Sequence, residues 1–381
     1  MKKEEFYQEV IRDSRGPLEG LKVLEATTTG AGPWTGALLT DLGAGTIKID
    51  QPEVGDISRH IPPFVPGPPK MEAGTLHLSI NRGKKCITLN LKSPQGQAIF
   101  RELAAGMDVV VQNYKPGTMD EWGLGYRDIG RVKADIVYTS VSGFGQYGPL
   151  SYRPGYDPVG QAMGGLMSVT GFPEGPPTRA GFAIADNMTA WLGAFATVSA
   201  LLYREKTGRG QHVDVNLLDS ILYSSQSFIM AAANAGYVAG RSGNRSPLSA
   251  PSDLYRCKDG GHIRLVAGLD SHWVRLCQLM GREDLAEDPR LQNRSSRAEN
   301  AALVEESVRE WVQDFDQEEV VGILDEAGLV VAPVLNFSQI LENEHVLARE
   351  MVVEVDHPLA GKLKLYGVGA KFSRTPGRVQ G

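Results

Sequence analysis

Leu21-Lys-Val-Leu-Glu-Ala-Thr27, then Gly30-Ala-Gly-Pro-Trp-Thr-Gly36, then Thr46-Ile-Lys-Ile-Asp50: this opening stretch decides the fold class. The outer segments are short apolar runs of strand length. Between them a glycine loop leads into helical spacing at Leu38 to Leu42, with Pro33 suited to a first helical position. Gly43-Ala-Gly45 stops that helix. The result is a strand–helix–strand unit, and it recurs. Ile87-Thr-Leu-Asn-Leu91 reads as a strand, after which Ser93-Pro94 starts a helix running to about Ala105. Asp108-Val-Val-Val-Gln-Asn113 and Ile136-Val-Tyr-Thr-Ser-Val141 are further strands. Strands alternating with helices predict an α/β fold with a parallel, doubly wound, Rossmann-like sheet.

Farther along, a long helix is expected from about Asn187 to Lys206, closed by Thr207-Gly-Arg-Gly210. The strand Gln211-His-Val-Asp-Val-Asn216 and a second helical stretch follow. Residues 238–252 are rich in turn formers and read as a linker. A strand pair around Lys258-Asp-Gly-Gly261 and amphipathic helices such as Ala301 to Phe315 predict a smaller α+β domain. Leu329-Val-Val-Ala-Pro-Val334 resumes strand character. The expected organisation is a large α/β domain over 17–215, helix and linker over 216–252, the small domain over 253–330, and a return to the large domain over 331–381. Residues 1–16 form a charged arm, and no internal repeat is visible.

Composition sets the outer limits. The chain has 381 residues, 42% hydrophobic and 22% charged, and a net charge of −6. These are the proportions of an ordinary globular protein rather than a disordered one. Mild acidity argues against nucleic acid or an anionic membrane as the main partner. The most apolar run, Thr189 to Tyr203, is shorter than the ~20 residues of a bilayer-spanning helix. The start, Met1-Lys-Lys-Glu-Glu, lacks a signal peptide's apolar run. Cys86, Cys257 and Cys277 lie far apart, so a reduced, cytoplasmic protein without disulfides or a metal site is expected. Glycine, at 44 residues, exceeds the ~7% average, as tight strand–helix loops or close backbone approach to a ligand require.

Several features could carry chemistry. The first glycine loop, with Asp50 beyond it, loosely matches a dinucleotide fingerprint, but position 35 is Thr and not glycine. Such a loop is also an ordinary tight turn, and before a helix N-terminus it can hold an anion. Residues 73–101 contain no acid but carry Arg82, Lys84, Lys85, Lys92 and Arg101, a local basic patch suited to a small phosphorylated ligand or simply to solvent. Gln112-Asn-Tyr-Lys-Pro-Gly117 puts polar and aromatic groups just past a strand's C-terminal end, where open α/β sheets bind ligands. There is no G-x-S-x-G elbow, no H-E-x-x-H and no metal-ligand spacing among the histidines. Asp186, in Gly181-Phe-Ala-Ile-Ala-Asp-Asn-Met188, ends an apolar run and begins the long helix. It suits two roles: an N-cap, or a carboxylate nucleophile kept ionised by the helix N-terminus.

A set of segments in order resembles the class III CoA-transferases, typified by formyl-CoA transferase and carnitine CoA-transferase. They are Pro17-Leu-Glu-Gly-Leu-Lys-Val-Leu24, Leu42-Gly-Ala-Gly-Thr-Ile-Lys-Ile-Asp-Gln-Pro52, Val54-Gly-Asp56, Ile87-Thr-Leu-Asn-Leu-Lys92 and Gln112 to Gly117. Ser142-Gly-Phe-Gly145, Gly155-Tyr-Asp157, Gln161-Ala-Met-Gly-Gly165 and Lys206-Thr-Gly-Arg-Gly-Gln211 continue the match. The resemblance implies an interlocked dimer of ring-like subunits and transfer of CoA from an acyl-CoA, such as succinyl-CoA, to a carboxylic acid. It places the nucleophile on Asp186, which would form an aspartyl-CoA thioester. It assigns coenzyme A contacts to Gly30, Ala31, Gln51, Leu89, Asn90, Lys92, Asn113 and Tyr114, with Arg59 and Lys115 added for phosphates and Trp122 nearby. Trp34, Tyr156 and Asp157 are assigned to the acyl substrate.

The departures are specific. Formyl-CoA transferase has arginine where Gln51 stands and glutamine at Gly30, a position often basic in relatives is Glu121, and the mobile run of four glycines and the usual C-terminal tail are missing. They leave room for a heteromer completed by a homologous subunit, as in benzylsuccinate CoA-transferase. Three other readings remain: a non-catalytic sister subunit, an α-methylacyl-CoA racemase-like enzyme, and an NAD-dependent oxidoreductase that rests only on the loose glycine fingerprint. The racemases carry histidine where this chain has Tyr156, which favours transferase.

Overall fold

Val23, Leu24, Glu25 and Ala26 are all buried, with no polar-outward alternation. Val109 to Gln112 and Val137 to Val141 are buried in the same way. Strands covered on both faces read like this, and they belong to parallel sheets. In the computed structural model, which describes residues 1–380, they are β1 (Lys22–Ala26), β4 (Val109–Gln112) and β5 (Val137–Ser142). With β2 (Gly45–Asp50), β3 (Lys85–Thr88) and β6 (His212–Asn216) they form a six-stranded sheet of order β3-β2-β1-β4-β5-β6. Every pairing is parallel. Side chains on successive residues face opposite layers. Val23, Val109 and Val111 pack with α1 (Ala31–Asp41) and α4 (Ile184–Thr207) on one face. Leu24, Val110 and Tyr138 meet Phe100 and Ala104 of α2 (Pro94–Ala105) on the other. Ser93 caps α2 as its sequence position predicts, accepting from the N–H of Gly96 at 3.1 Å.

The doubly wound expectation therefore holds, with local differences. Pro33 occupies the third position of α1, not the first. β3 is an exposed edge strand that ends at Thr88. The long helix α4 begins at Ile184, ahead of the expected Asn187, and this matters for Asp186.

The chain divides into two compact units. The first comprises Met1–Leu166, Arg179–Tyr237 and the segment from Asn343 onward. It includes α3 (Asp157–Met163), α5 (Leu217–Tyr223) and a C-terminal antiparallel hairpin of β10 (Val352–His357) and β11 (Gly361–Tyr366). The second comprises Met167–Thr178 and Val238–Glu342. It holds a three-stranded antiparallel sheet, β7 (Ser252–Arg256), β8 (His262–Val266) and β9 (Val330–Pro333). Helices pack on it around Trp273, Leu276, Val304 and Val308.

The boundaries thus differ from those drawn on the sequence. β9, read as the start of the return, pairs with β8 through Val266↔Val330 to Ile263↔Pro333 and stays in the second unit. Residues 167–178 belong there too: Gly243 donates to the carbonyl of Gly171, and Arg241 donates to those of Phe172, Pro173 and Gly175. Residues 216–237, expected as helix and linker, remain in the first unit. Among the described residues no helix is long and apolar enough to cross a membrane.

Candidate active site

From β1 the chain runs outward to β2 and β3, then crosses back to β4 on the other side. The C-terminal ends of β1 and β4 therefore diverge at a topological switch point, the place where such sheets leave a crevice. A cavity of about 240 Å³ opens there. Its walls are the segments after β1 (Thr28 to Ala31) and after β4 (Asn113 to Pro116) and the end of β5 (Ser142, Gly143), together with Arg153 to Tyr156 and Asp186. The structure thus brings together Gly30, Ala31, Asn113, Tyr114, Lys115, Tyr156 and Asp186.

Asp186 is the third residue of α4, not its cap. The cap residue, Ala183, has no polar side chain to offer, and Asp157 of α3 accepts the N–H groups instead. Its Oδ1 accepts from the N–H of Ala185 at 2.8 Å and that of Asp186 at 3.4 Å. Gln161 donates to its Oδ2 at 2.7 Å. Asp157, which the resemblance assigns to the acyl substrate, is buried and absent from the cavity wall, and lies behind the first turn of α4. The Asp186 carboxylate is left free to face the other helix. The backbone N–H of Ala31, in the first turn of α1, lies near it and favours its charged form. A Cβ on Gly30 would lie 2.4 Å from its Oδ2, so a larger residue here would displace the carboxylate from this position.

Burial and the neighbouring charge of Asp157 push the Asp186 carboxyl up to about 7, against the opposing effect of the Ala31 N–H. The helix N-terminus expected to help keep it ionised is thus outweighed. A carboxylate poised near neutral pH and poorly solvated is the more reactive for it.

Other predicted residues take different places. The Asn113 amide is occupied by Thr28: Oδ1 accepts from its N–H at 2.9 Å and Nδ2 donates to its carbonyl at 2.7 Å. Trp122 meets Tyr114 edge-on, ring centres 5.1 Å apart, behind the cavity wall. Gln51, Leu89, Asn90 and Lys92 lie off the cavity, with Gln51, Asn90 and Lys92 exposed. Arg59 is paired with Asp50 at 3.3 Å and Glu72 at 3.0 Å, and lines a separate cavity with His77 and Cys86. Trp34 lines a third, apolar cavity with Trp191, Phe195 and Tyr366. The structure adds Thr28, Thr29, Ser142 and Arg153 to the site. Arg153 and Lys115 are exposed cations without an ion-pair partner among the described residues. No motif in the sequence signals Arg153, which lies in a loop just ahead of Gly155-Tyr-Asp157.

Comparison with known proteins is decisive for the family. The model of CoA-transferase family III matches residues 18–381. The chain belongs to CoA-transferase family III. This family III enzyme is 35% identical over 364 residues to succinyl-CoA–D-citramalate CoA-transferase of Chloroflexus aurantiacus, covering 95% of this chain and 89% of the relative. It is 33% identical over 368 residues to the beta subunit of succinyl-CoA–L-malate CoA-transferase of the same organism, covering 96% and 90%. A crystal structure of a CAIB/BAIF family protein from Brucella suis superposes with a TM-score of 0.85 at 32% identity, covering 96% of each chain. The CoA-transferase is thus an enzyme acting on CoA thioesters, as its sequence resemblance implied.

Proposed function

We propose that this CoA-transferase moves CoA from a succinyl-CoA-type donor to a carboxylic acid through covalent intermediates on Asp186. One observation carries the reading: a half-buried carboxylate faces the switch-point cavity, close against the Gly30 turn that opens α1. An Asp186 oxygen attacks the thioester carbonyl, the C–S bond breaks, and an acyl-aspartyl anhydride and CoA thiolate result. The thiolate attacks the Asp186 acyl carbon, the anhydride C–O bond breaks, and the donor leaves as its carboxylate. The acceptor carboxylate then attacks the aspartyl-CoA thioester and reverses both steps, so no net proton or electron is exchanged. Each step replaces direct exchange with an easier acyl transfer. The N–H of Ala31 is a donor for the oxyanions that form at Asp186.

Lys115 and Arg153 supply positive charge at the cavity and suit CoA phosphates or the distal carboxylate of a dicarboxylic acid. Both relatives described above carry succinyl-CoA and a hydroxy-dicarboxylate in their names, which supports dicarboxylates on both sides. The reading includes an interlocked dimer, or a heteromer with a homologous subunit, in the cytoplasm, and three free cysteines agree with a reducing compartment. Trp191, Phe195 and Leu202 are 53%, 71% and 52% exposed along one face of α4, an apolar stripe that a second subunit would cover.

The test is incubation with succinyl-CoA, hydroxylamine trapping and peptide mass spectrometry. The expected result is a hydroxamate on Asp186, absent from Asp186→Asn, whose transfer rate falls by about 10⁴-fold or more. Undiminished transfer in that variant would overturn the mechanism.

A further inference from the structure

The segment that brings Ala31 to Asp186 is held in a conformation its own residues disfavour. Thr29 sits at φ +74°, the left-handed region that a β-branched side chain rarely occupies. Such outliers persist only where their surroundings over-determine them. The surroundings here are a buried charge cluster. Asp56 Oδ1 accepts from the N–H of Thr29 at 3.0 Å and the hydroxyl of Thr28 at 3.2 Å. Its other oxygen lies 2.9 Å from Nζ of Lys48, which is itself fully buried. That ammonium donates to the carbonyl of Thr27 at 2.7 Å and to Glu25 at 3.2 Å. Thr27, Thr28 and Thr29, the three residues before the cap of α1, are thus each tied to one Lys48–Asp56 ion pair. The reaction steps above do not use either residue, and neither lines the cavity.

We propose that Asp56, backed by Lys48, is a positioning residue that holds the Thr28-Thr29 turn in its left-handed form and so aims the Ala31 N–H at the Asp186 carboxylate. Loosening the turn withdraws that donor without removing a substrate contact. Asp186 then reacts more slowly, and its ionisation moves to higher pH because Asp157 and burial act on it unopposed. The proposal rests on Asp186 being the attacking group.

The experiment measures the rate of hydroxylamine-trappable adduct formation on Asp186, the KM for succinyl-CoA and the pH midpoint. Asp56→Ala is expected to slow adduct formation by about 10²-fold, the scale of a small misplacement of reacting groups. KM stays within about threefold, and the midpoint rises above that of the wild type. Thr29→Gly is measured alone as the reference for the double variant, since Thr29 lines the cavity. Combined with Asp56→Ala it restores at least about tenfold, because glycine adopts positive φ without the clamp. Where Asp56→Ala fails to fold, Asp56→Asn keeps an acceptor for Thr29 while weakening the hold of Lys48, and the same partial rescue is expected. Wild-type adduct rates in a folded Asp56 variant, or loss of rate that Thr29→Gly does not recover, would overturn the positioning role. Absence of any adduct in the wild type would instead remove the Asp186 mechanism, and the proposal with it.

Discussion

At Asp186, two neighbours act in opposite senses: the buried charge of Asp157 favours the protonated form and the Ala31 N–H favours the carboxylate. Only the carboxylate attacks a thioester, so the rate of the donor half-reaction should rise with pH through about 7 and level off above it. Asp157→Asn retains an oxygen for the N–H of Ala185 but removes the charge. Its midpoint should move below that of the wild type, which a stopped-flow pH series would detect. Asp186 was visible in the sequence as an acid closing an apolar run. The cap half of that reading does not hold, because Asp186 is the third residue of the helix. Asp157, 29 residues earlier, fills the cap, and no local pattern announces a capping group from another helix.

At the scale of elements, the site is a meeting of ends: α1 and α4 converge with their first turns, and the segment after β4 braces the one after β1. Asn113 is the brace. Its two hydrogen bonds to the backbone of Thr28 imitate one more rung of a sheet where the strands diverge. Asn113→Ala should therefore cost about 1–3 kcal/mol of stability, because both Thr28 groups lose their partner. Denaturant unfolding without ligand checks this, since a residue serving only CoA would leave the unfolding midpoint unchanged. The strands and helices themselves were legible, because each is written in adjacent residues. The bracing was not: Asn113 and Thr28 lie 85 positions apart, and the sequence resemblance assigned Asn113 to CoA alone.

At the scale of the molecule, α4 carries an exposed apolar stripe. If a second subunit covers it, Phe195→Asp should shift the protein toward monomer in size-exclusion chromatography with light scattering. An unchanged dimer would assign the contact elsewhere. The basic stretch 73–101 also resolves at this scale. Arg82 is held by Asp41 and by the ring of Tyr366, and Lys84 lies 2.8 Å from Glu25. Much of the positive charge that looked available for phosphates is spent inside the first unit.

By itself, the sequence determined the alternating α/β order, the glycine loop before α1, the family, and Asp186 as the acid to watch. These depend on periodicity, turn chemistry and motifs carried by neighbouring residues. Tertiary structure alone decided that Arg59 and Trp34 line other cavities, that Asp157 caps the first turn of α4, and that burial and Asp157 push the Asp186 carboxyl up to about 7. Burial and Coulomb interactions depend on distance in space, and the groups that set them come from strands and helices far apart along the chain.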